Sequence, residues 1–123
     1  LRQRIEANTP MLAGRAKEEA FARFSKSLQY LAQAGIAPNM AVPLAINAIP
    51  NDVIRDHYHK LVGSLREGVP LSAGLTRVLQ PNYRDMLEVS EVTGDLPGAL
   101  QQISRMAEDN LERKTKLAGM GLK

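Results

Sequence analysis

Apolar residues recur at helical spacing along most of this chain. Phe21, Phe24, Leu28 and Leu31 stand at i, i+3, i+7 and i+10 and predict a helix from Arg15 to Ala34, ended by Gly35. A second helix is expected from Asn39 to just before Pro50. It is mostly apolar (Met40, Val42, Leu44, Ile46) and should be buried on much of its circumference. Asn51 or Asp52 caps a third helix running to Glu67, with Ile54, Tyr58, Leu61 and Leu65 as its stripe. Gly63-Ser64 inside it predicts a close approach by a neighbouring helix, and Gly68 stops it. Ser72 is the expected cap of a fourth helix, Ala73 to Leu79, with Leu75, Val78 and Leu79 facing inward. After the break at Gln80-Pro81, a fifth helix spans Asn82 to Thr93 and a sixth Leu96 to Leu117.

The connection between the last two helices is the sharpest local signal. Met86, Leu87 and Ser90 keep helical spacing, then Gly94 supplies a left-handed stop and Asp95 an immediate N-cap. Pro97 falls in the first turn of the new helix, where a missing N–H costs little, and Leu96, Leu100, Ile103 and Ala107 line one face. So tight a connection predicts antiparallel packing. Gly35-Ile-Ala-Pro38…Leu44, Gly68-Val-Pro70…Leu75 and Gly94-Asp-Leu-Pro97…Leu100 share one form: glycine, apolar residue, proline, helix, leucine. The fold class expected is all-α: a six-helix up-and-down antiparallel bundle made of three helical hairpins. Residues 1–14 read as an irregular lead-in following a membrane span, 15–118 as the helical domain and 119–123 as a tail.

Composition changes this picture little. With 44% hydrophobic residues, 4% aromatic and no cysteine, the core must be aliphatic, and disulfides and cysteine-based metal sites are excluded. No apolar run is long enough to cross a bilayer, and no signal peptide is visible. A chain that starts at Leu1 rather than Met is expected to be processed or a piece of something longer. Charge is more informative. Residues 1–26 hold six basic and three acidic residues and 105–123 five and three, whereas 27–104 hold five and seven. Both ends are basic and the middle is not. That is either surface scatter or the mark of ends that abut membrane spans on the cytoplasmic side.

Candidate chemistry is sparse. His57 and His59 are two apart, which sets them on different sides of a helix rather than at zinc-binding spacing. No hydrolase, nucleotide-binding or metalloprotease pattern occurs, so no catalytic residue, cofactor or enzyme activity is expected. Glu88, Glu91 and Asp95 cluster around the last turn. They form either an oxygen-rich site for a divalent cation or, through Glu91 or Asp95, an acceptor for free backbone N–H groups. Glu108, Asp109 and Glu112 interleave with Arg105, Arg113 and Lys114 as a salt-bridged face. Arg105, Glu108, Glu112 and Arg113 are its candidate partner-binding residues. A sequence pI near 9.5 permits nucleic-acid binding, but the cations are not gathered on one helix and aromatics for base stacking are nearly absent.

The turn motifs resemble a known family. Glu91-Val-Thr-Gly94-Asp-Leu96 with Leu100 is similar to the G-E-x-[ST]-G-x-L…L signature of the type II secretion F domain, with Ser90 where that family usually has glycine. Phe24…Leu28…Leu31…Gly35-Ile36 resembles its opening helix, and Leu65-Arg-Glu-Gly68-Val-Pro-Leu71-Ser…Leu75 its second landmark. The likeness runs from Pro10 to Leu117 and implies a six-helix cytoplasmic domain of an inner-membrane platform protein. Such chains carry two copies of the domain between transmembrane helices, and the Pro10 to Phe24 lead-in looks more like the second copy. The implied role is scaffolding of type IV pilus or type II secretion pseudopilus assembly, coupling the assembly ATPase to subunit extraction. Implied partners are a hexameric ATPase, other inner-membrane assembly proteins, pilin or pseudopilin subunits and a second copy of the chain, with no nucleic acid. The implied location is the bacterial inner membrane, cytoplasmic side. Gly35, Gly68, Leu71, Leu75, Glu91, Gly94, Leu96 and Leu100 are the motif residues, and their implied role is structural. The rival readings are a soluble helical protein–protein adaptor and a small DNA-binding helical module.

Overall fold

The computed structural model describes residues 10–62 and 65–119. Six helices and no strand occur among them: α1 (Pro10–Gln33), α2 (Pro38–Ile46), α3 (Asp52–Val62), α4 (Leu71–Gly74), α5 (Pro81–Thr93) and α6 (Leu96–Leu117). The protein is thus all-α. None of these helices is long and apolar enough to cross a membrane.

The two longest helices, α1 and α6, form the main pair although they lie at opposite ends of the chain. They run antiparallel: Gln29 of α1 meets Ser104 of α6, Lys26 meets Glu108, and Gly14 lies beside Lys114. Small buried residues (Ala22 and Ser25 on α1, Ser104 and Ala107 on α6) let the backbones approach, and side chains as short as these leave little room for a cavity. Ser104 Oγ donates to Gln29 Oε1 at 2.7 Å, which satisfies polar atoms that burial would otherwise strand.

Four of the five aromatic residues form one row that joins three helices. Tyr58 of α3 meets Phe24 of α1 edge-on at 5.5 Å, Phe24 neighbours Phe21 at 6.3 Å, and Phe21 stacks on Tyr83 of α5 at 4.9 Å. The expected α1 stripe is confirmed by burial of Phe21, Phe24 and Leu28. On α6, Leu100, Ile103 and Ala107 are buried as their spacing predicts.

Gly35, Gly68 and Gly94 all have positive φ (81°, 85° and 82°). At Gly94 nothing lies within 4 Å of where a Cβ would stand, so a side chain there meets no clash and only backbone strain. Gly94→Val is therefore expected to cost about 2 kcal/mol, because a β-branched residue is poorly tolerated in the left-handed region. An unchanged denaturation midpoint would refute the cap assignment. Asp95 then caps α6, its Oδ1 accepting from the Gly98 N–H at 3.0 Å. Glycine at position 98 leaves room for that carboxylate, since a Cβ would fall 2.2 Å from Asp95 Oδ2.

Several boundaries and one pairing differ from the sequence reading. α1 begins at Pro10 rather than Arg15, so residues 10–14 are helical and not irregular; Pro10 opens the helix where its missing N–H is harmless. α3 ends at Val62 and Leu65 to Glu67 are not helical, while Gly63-Ser64 lies outside the described residues. Of the two cap candidates for α3, Asn51 is the one used, its Oδ1 accepting from Ile54 N–H at 3.0 Å. α4 is a single turn, begins at Leu71 and is not capped by the Ser72 side chain. The Thr76 hydroxyl donates to the Ser72 and Ala73 carbonyls at its end, and the chain turns away. Among the described residues the main packing of the middle pair is therefore not on each other: α4 packs on α5, and α3 packs on α2 and α1. α2 is also less buried than its composition suggests. Ala41, Val42, Ala45 and Ile46 face the core, but Met40 is 61% exposed and Leu44 53%. A nine-residue helix touching α1 and α3 covers one face only.

Candidate functional site

The motif turns meet at one pole of the bundle. Pro38 from the first turn, Val69, Pro70 and Leu71 from the second, and Gly94 and Leu96 from the third line a recess of about 210 Å³, together with Ser90 and Glu91. Elements far apart in sequence are thus joined by their connections, and Leu71, Leu75 and Leu100 plug into the core beneath.

Glu91 holds this pole together. Its Oε2 accepts from the Ser72 backbone N–H at 3.0 Å and its Oε1 from the Ser72 hydroxyl at 2.6 Å. Ser72 lies in the first turn of α4, where backbone N–H groups have no intrahelical acceptor. The N-cap of α4 is Pro70, which has no side-chain acceptor to offer. A carboxylate on α5 supplies the missing cap from another element, and negative charge at a helix N-terminus is favourable. The sequence alone offers Ser72 as the cap of this helix and Glu91 as a cation ligand or an acceptor at the α5–α6 turn; the structure instead joins the two residues. A proline directly before a helix start was the signal that a cap must come from elsewhere.

This arrangement disperses the three carboxylates weighed as a cation site. Glu91 is engaged by Ser72, Asp95 by Gly98, and Glu88 lies on a different recess with Thr76 and Arg84. No group of three or more His, Asp or Glu with the spacing to hold a metal occurs among the described residues. His59 Nε2 meets Asn47 Oδ1 at 3.2 Å while His57 faces a separate cavity, so the two histidines do point to different sides.

The candidate α6 residues Arg105, Glu108, Glu112 and Arg113 are all exposed but not all free. Glu108 pairs with Lys26 across the α1–α6 seam at 3.3 Å, Glu112 with Lys116 at 3.6 Å, and Arg113 bonds Asn110. Arg105 lies on a groove of about 540 Å³ between α5 and α6, with Val89, Thr93 and Gln101. Val89 and Val92 stand 61% and 88% exposed on α5. Exposed ion pairs like these contribute little to stability, so partners can replace them at small cost.

At the opposite pole, α1, α3, α6 and the α4–α5 connection surround a cavity of about 430 Å³. Tyr58 forms part of its wall. The Tyr58 and Tyr83 hydroxyls are both pushed above the ordinary tyrosine range, chiefly by burial and then by the Glu18 carboxylate. The fold therefore favours the neutral phenols. As pH rises, the unfolded chain gives up these protons first, so this stabilisation is complete below about pH 10 and declines above it. The expected result is a melting temperature that drops above about pH 10, and drops less steeply in Tyr58→Phe. Identical alkaline profiles for the two proteins would exclude this linkage.

Comparison with known proteins adds the following. The family described as Type II secretion system (T2SS), protein F matches residues 24–122. A curated relative named "Type II secretion system protein F", from Pseudomonas aeruginosa, is 28% identical over 104 residues. That alignment covers 83% of this chain and 26% of the relative, so the chain spans about a quarter of the relative's length. No solved structure matches.

Proposed function

We propose, since this chain belongs to the type II secretion system protein F family, that it forms a cytoplasmic domain of an inner-membrane platform protein. In this reading the platform scaffolds assembly of a pseudopilus or a type IV pilus and couples a hexameric assembly ATPase to extraction of pilin or pseudopilin subunits. The observation that carries the proposal is the family match across most of the chain. The fold is compatible with it. A helical domain whose first and last helices, α1 from Pro10 and α6 to Leu117, pack along their length resists being pulled apart from its ends and suits force transmission. The role proposed is mechanical rather than enzymatic, and it calls for no cofactor.

The N-terminal end of α1 and the C-terminal end of α6 lie side by side, so flanking chain on both sides departs from the same pole. Flanking membrane spans would place that pole at the bilayer and the motif pole away from it. The face bearing Arg105, Glu108, Glu112 and Arg113 runs along α6 between the two poles and is the surface we assign to the ATPase. Arg105→Glu with Arg113→Glu is expected to abolish capture of the ATPase by the full-length protein with little change in melting temperature. Undiminished capture would remove that assignment. Homodimerisation belongs to the same proposal and is read by sedimentation equilibrium.

The deciding experiment is fractionation of the full-length parent followed by an alkaline carbonate wash. Retention in the washed pellet is expected. Release into the soluble fraction would overturn the platform reading in favour of a soluble helical adaptor, and strongly salt-dependent DNA affinity in that fraction would favour a DNA-binding module.

A further inference from the structure

We infer that the cavity at the pole where the two chain ends emerge binds the headgroup and first acyl carbons of an anionic phospholipid. The site is bipartite. Its floor is apolar, made by Phe21, Ile54 and Leu61. Its rim carries Lys17 from α1, Arg77 from the α4–α5 connection and Lys114 from α6. These three side chains are exposed, come from three different elements, and have no acidic partner among the described residues. Among the described residues Glu18 is the one carboxylate on the cavity, so these residues leave the rim net positive.

Three free cations around an apolar hollow fit a ligand with a negative head and a hydrocarbon stem. At about 430 Å³ the hollow is of the size that encloses small ligands rather than a lone ion. Its placement favours lipid over an acidic protein segment. Pro10 starts α1 and Leu117 ends α6 on the same side as the cavity, with Gly14 and Lys114 both on its wall. That this side faces a bilayer rests on the platform reading; the composition of the cavity does not. Cations near an anionic surface each strengthen binding about fivefold, so three give roughly a hundredfold.

The test is sedimentation of the 123-residue chain with vesicles of phosphatidylglycerol and phosphatidylcholine, against vesicles of phosphatidylcholine alone. Binding to the anionic vesicles only is expected. Lys17→Gln/Arg77→Gln/Lys114→Gln should lose it by roughly a hundredfold. A control that removes the same charge elsewhere, Arg23→Gln/Arg66→Gln/Arg84→Gln, should retain most of it. Equal loss in the control would mean diffuse surface charge and overturn the site, as would no vesicle binding at all. A second arm follows the amide resonances of Gly14, His57 and Leu61. Short-chain phosphatidylglycerol should shift them to saturation, and glycerol phosphate at the same concentration should not. Equal shifts would reduce the site to a phosphate site. Shifts with an acidic peptide but not with the lipid would assign it to a protein partner; either result overturns the inference. Because the chain tested has no flanking spans, vesicle binding can succeed while carbonate retention of the parent fails, or the reverse. The two readings therefore fail separately.

Discussion

Tyr83→Ala is expected to lower the stability of the fold by about 3–5 kcal/mol. Tyr83 is fully buried, stacks on Phe21 with an interplanar angle of 12°, and accepts at its hydroxyl from Asn110 Nδ2 at 3.0 Å. It therefore ties α5 to α1 by its ring and to α6 by its oxygen. Truncation removes the ring's burial, leaves a cavity between three helices, and takes the hydroxyl acceptor from the Asn110 amide. Tyr83→Phe keeps the ring and removes only the hydrogen bond, so about 1 kcal/mol is expected. Chemical denaturation with an unchanged slope would measure both. Equal losses in the two variants would show that the hydroxyl rather than the ring holds the helices.

Glu91→Ala is expected to cost about 2–3 kcal/mol, more than an exposed glutamate usually does, because it supports two hydrogen bonds to one charged group. The Ser72 N–H would return to being an unsatisfied first-turn donor, and α4, a single turn, has little else to hold it. Ser72→Ala should cost less, about 1 kcal/mol, since the backbone N–H keeps its acceptor. The double variant should then lose little more than Glu91→Ala alone, the signature of a coupled pair. Strict additivity would mean that Glu91 acts through something other than Ser72. Since Glu91 lines the recess where the three turns meet, its loss should also loosen that pole as a whole, visible as faster amide exchange at Val69 and Leu71.

The contrast between these two residues shows what could be read early. Tyr83 was absent from every predicted stripe. It sits at the start of α5, and only the arrival of Phe21 from α1 makes its position a core position. Glu91 is legible as a motif residue, but its partner lies nineteen positions away on an element that starts two residues before the expected Ala73. The α1 and α6 stripes and the three glycine stops were legible because they depend on spacing and on φ, which act within a few residues. The composition of α2 predicts burial on much of its circumference, yet Met40 and Leu44 are exposed, since α2 has neighbours on one face only.

The linear order of residues thus suffices for an all-α chain, the glycine stops at Gly35 and Gly94, the Asp95 cap, the apolar faces of α1 and α6, and a set of motif residues pointing to one family. These follow from local rules: helical periodicity, caps and the conformational freedom of glycine. The pairing of α1 with α6, the packing of α4 on α5, and the gathering of three turns at one pole and of three cations without an acidic partner among the described residues at the other come from the folded arrangement alone. Each of those depends on which surfaces meet, and side chains such as Glu91, Lys17 and Arg77 acquire a role only from neighbours that the chain brings in from a distance.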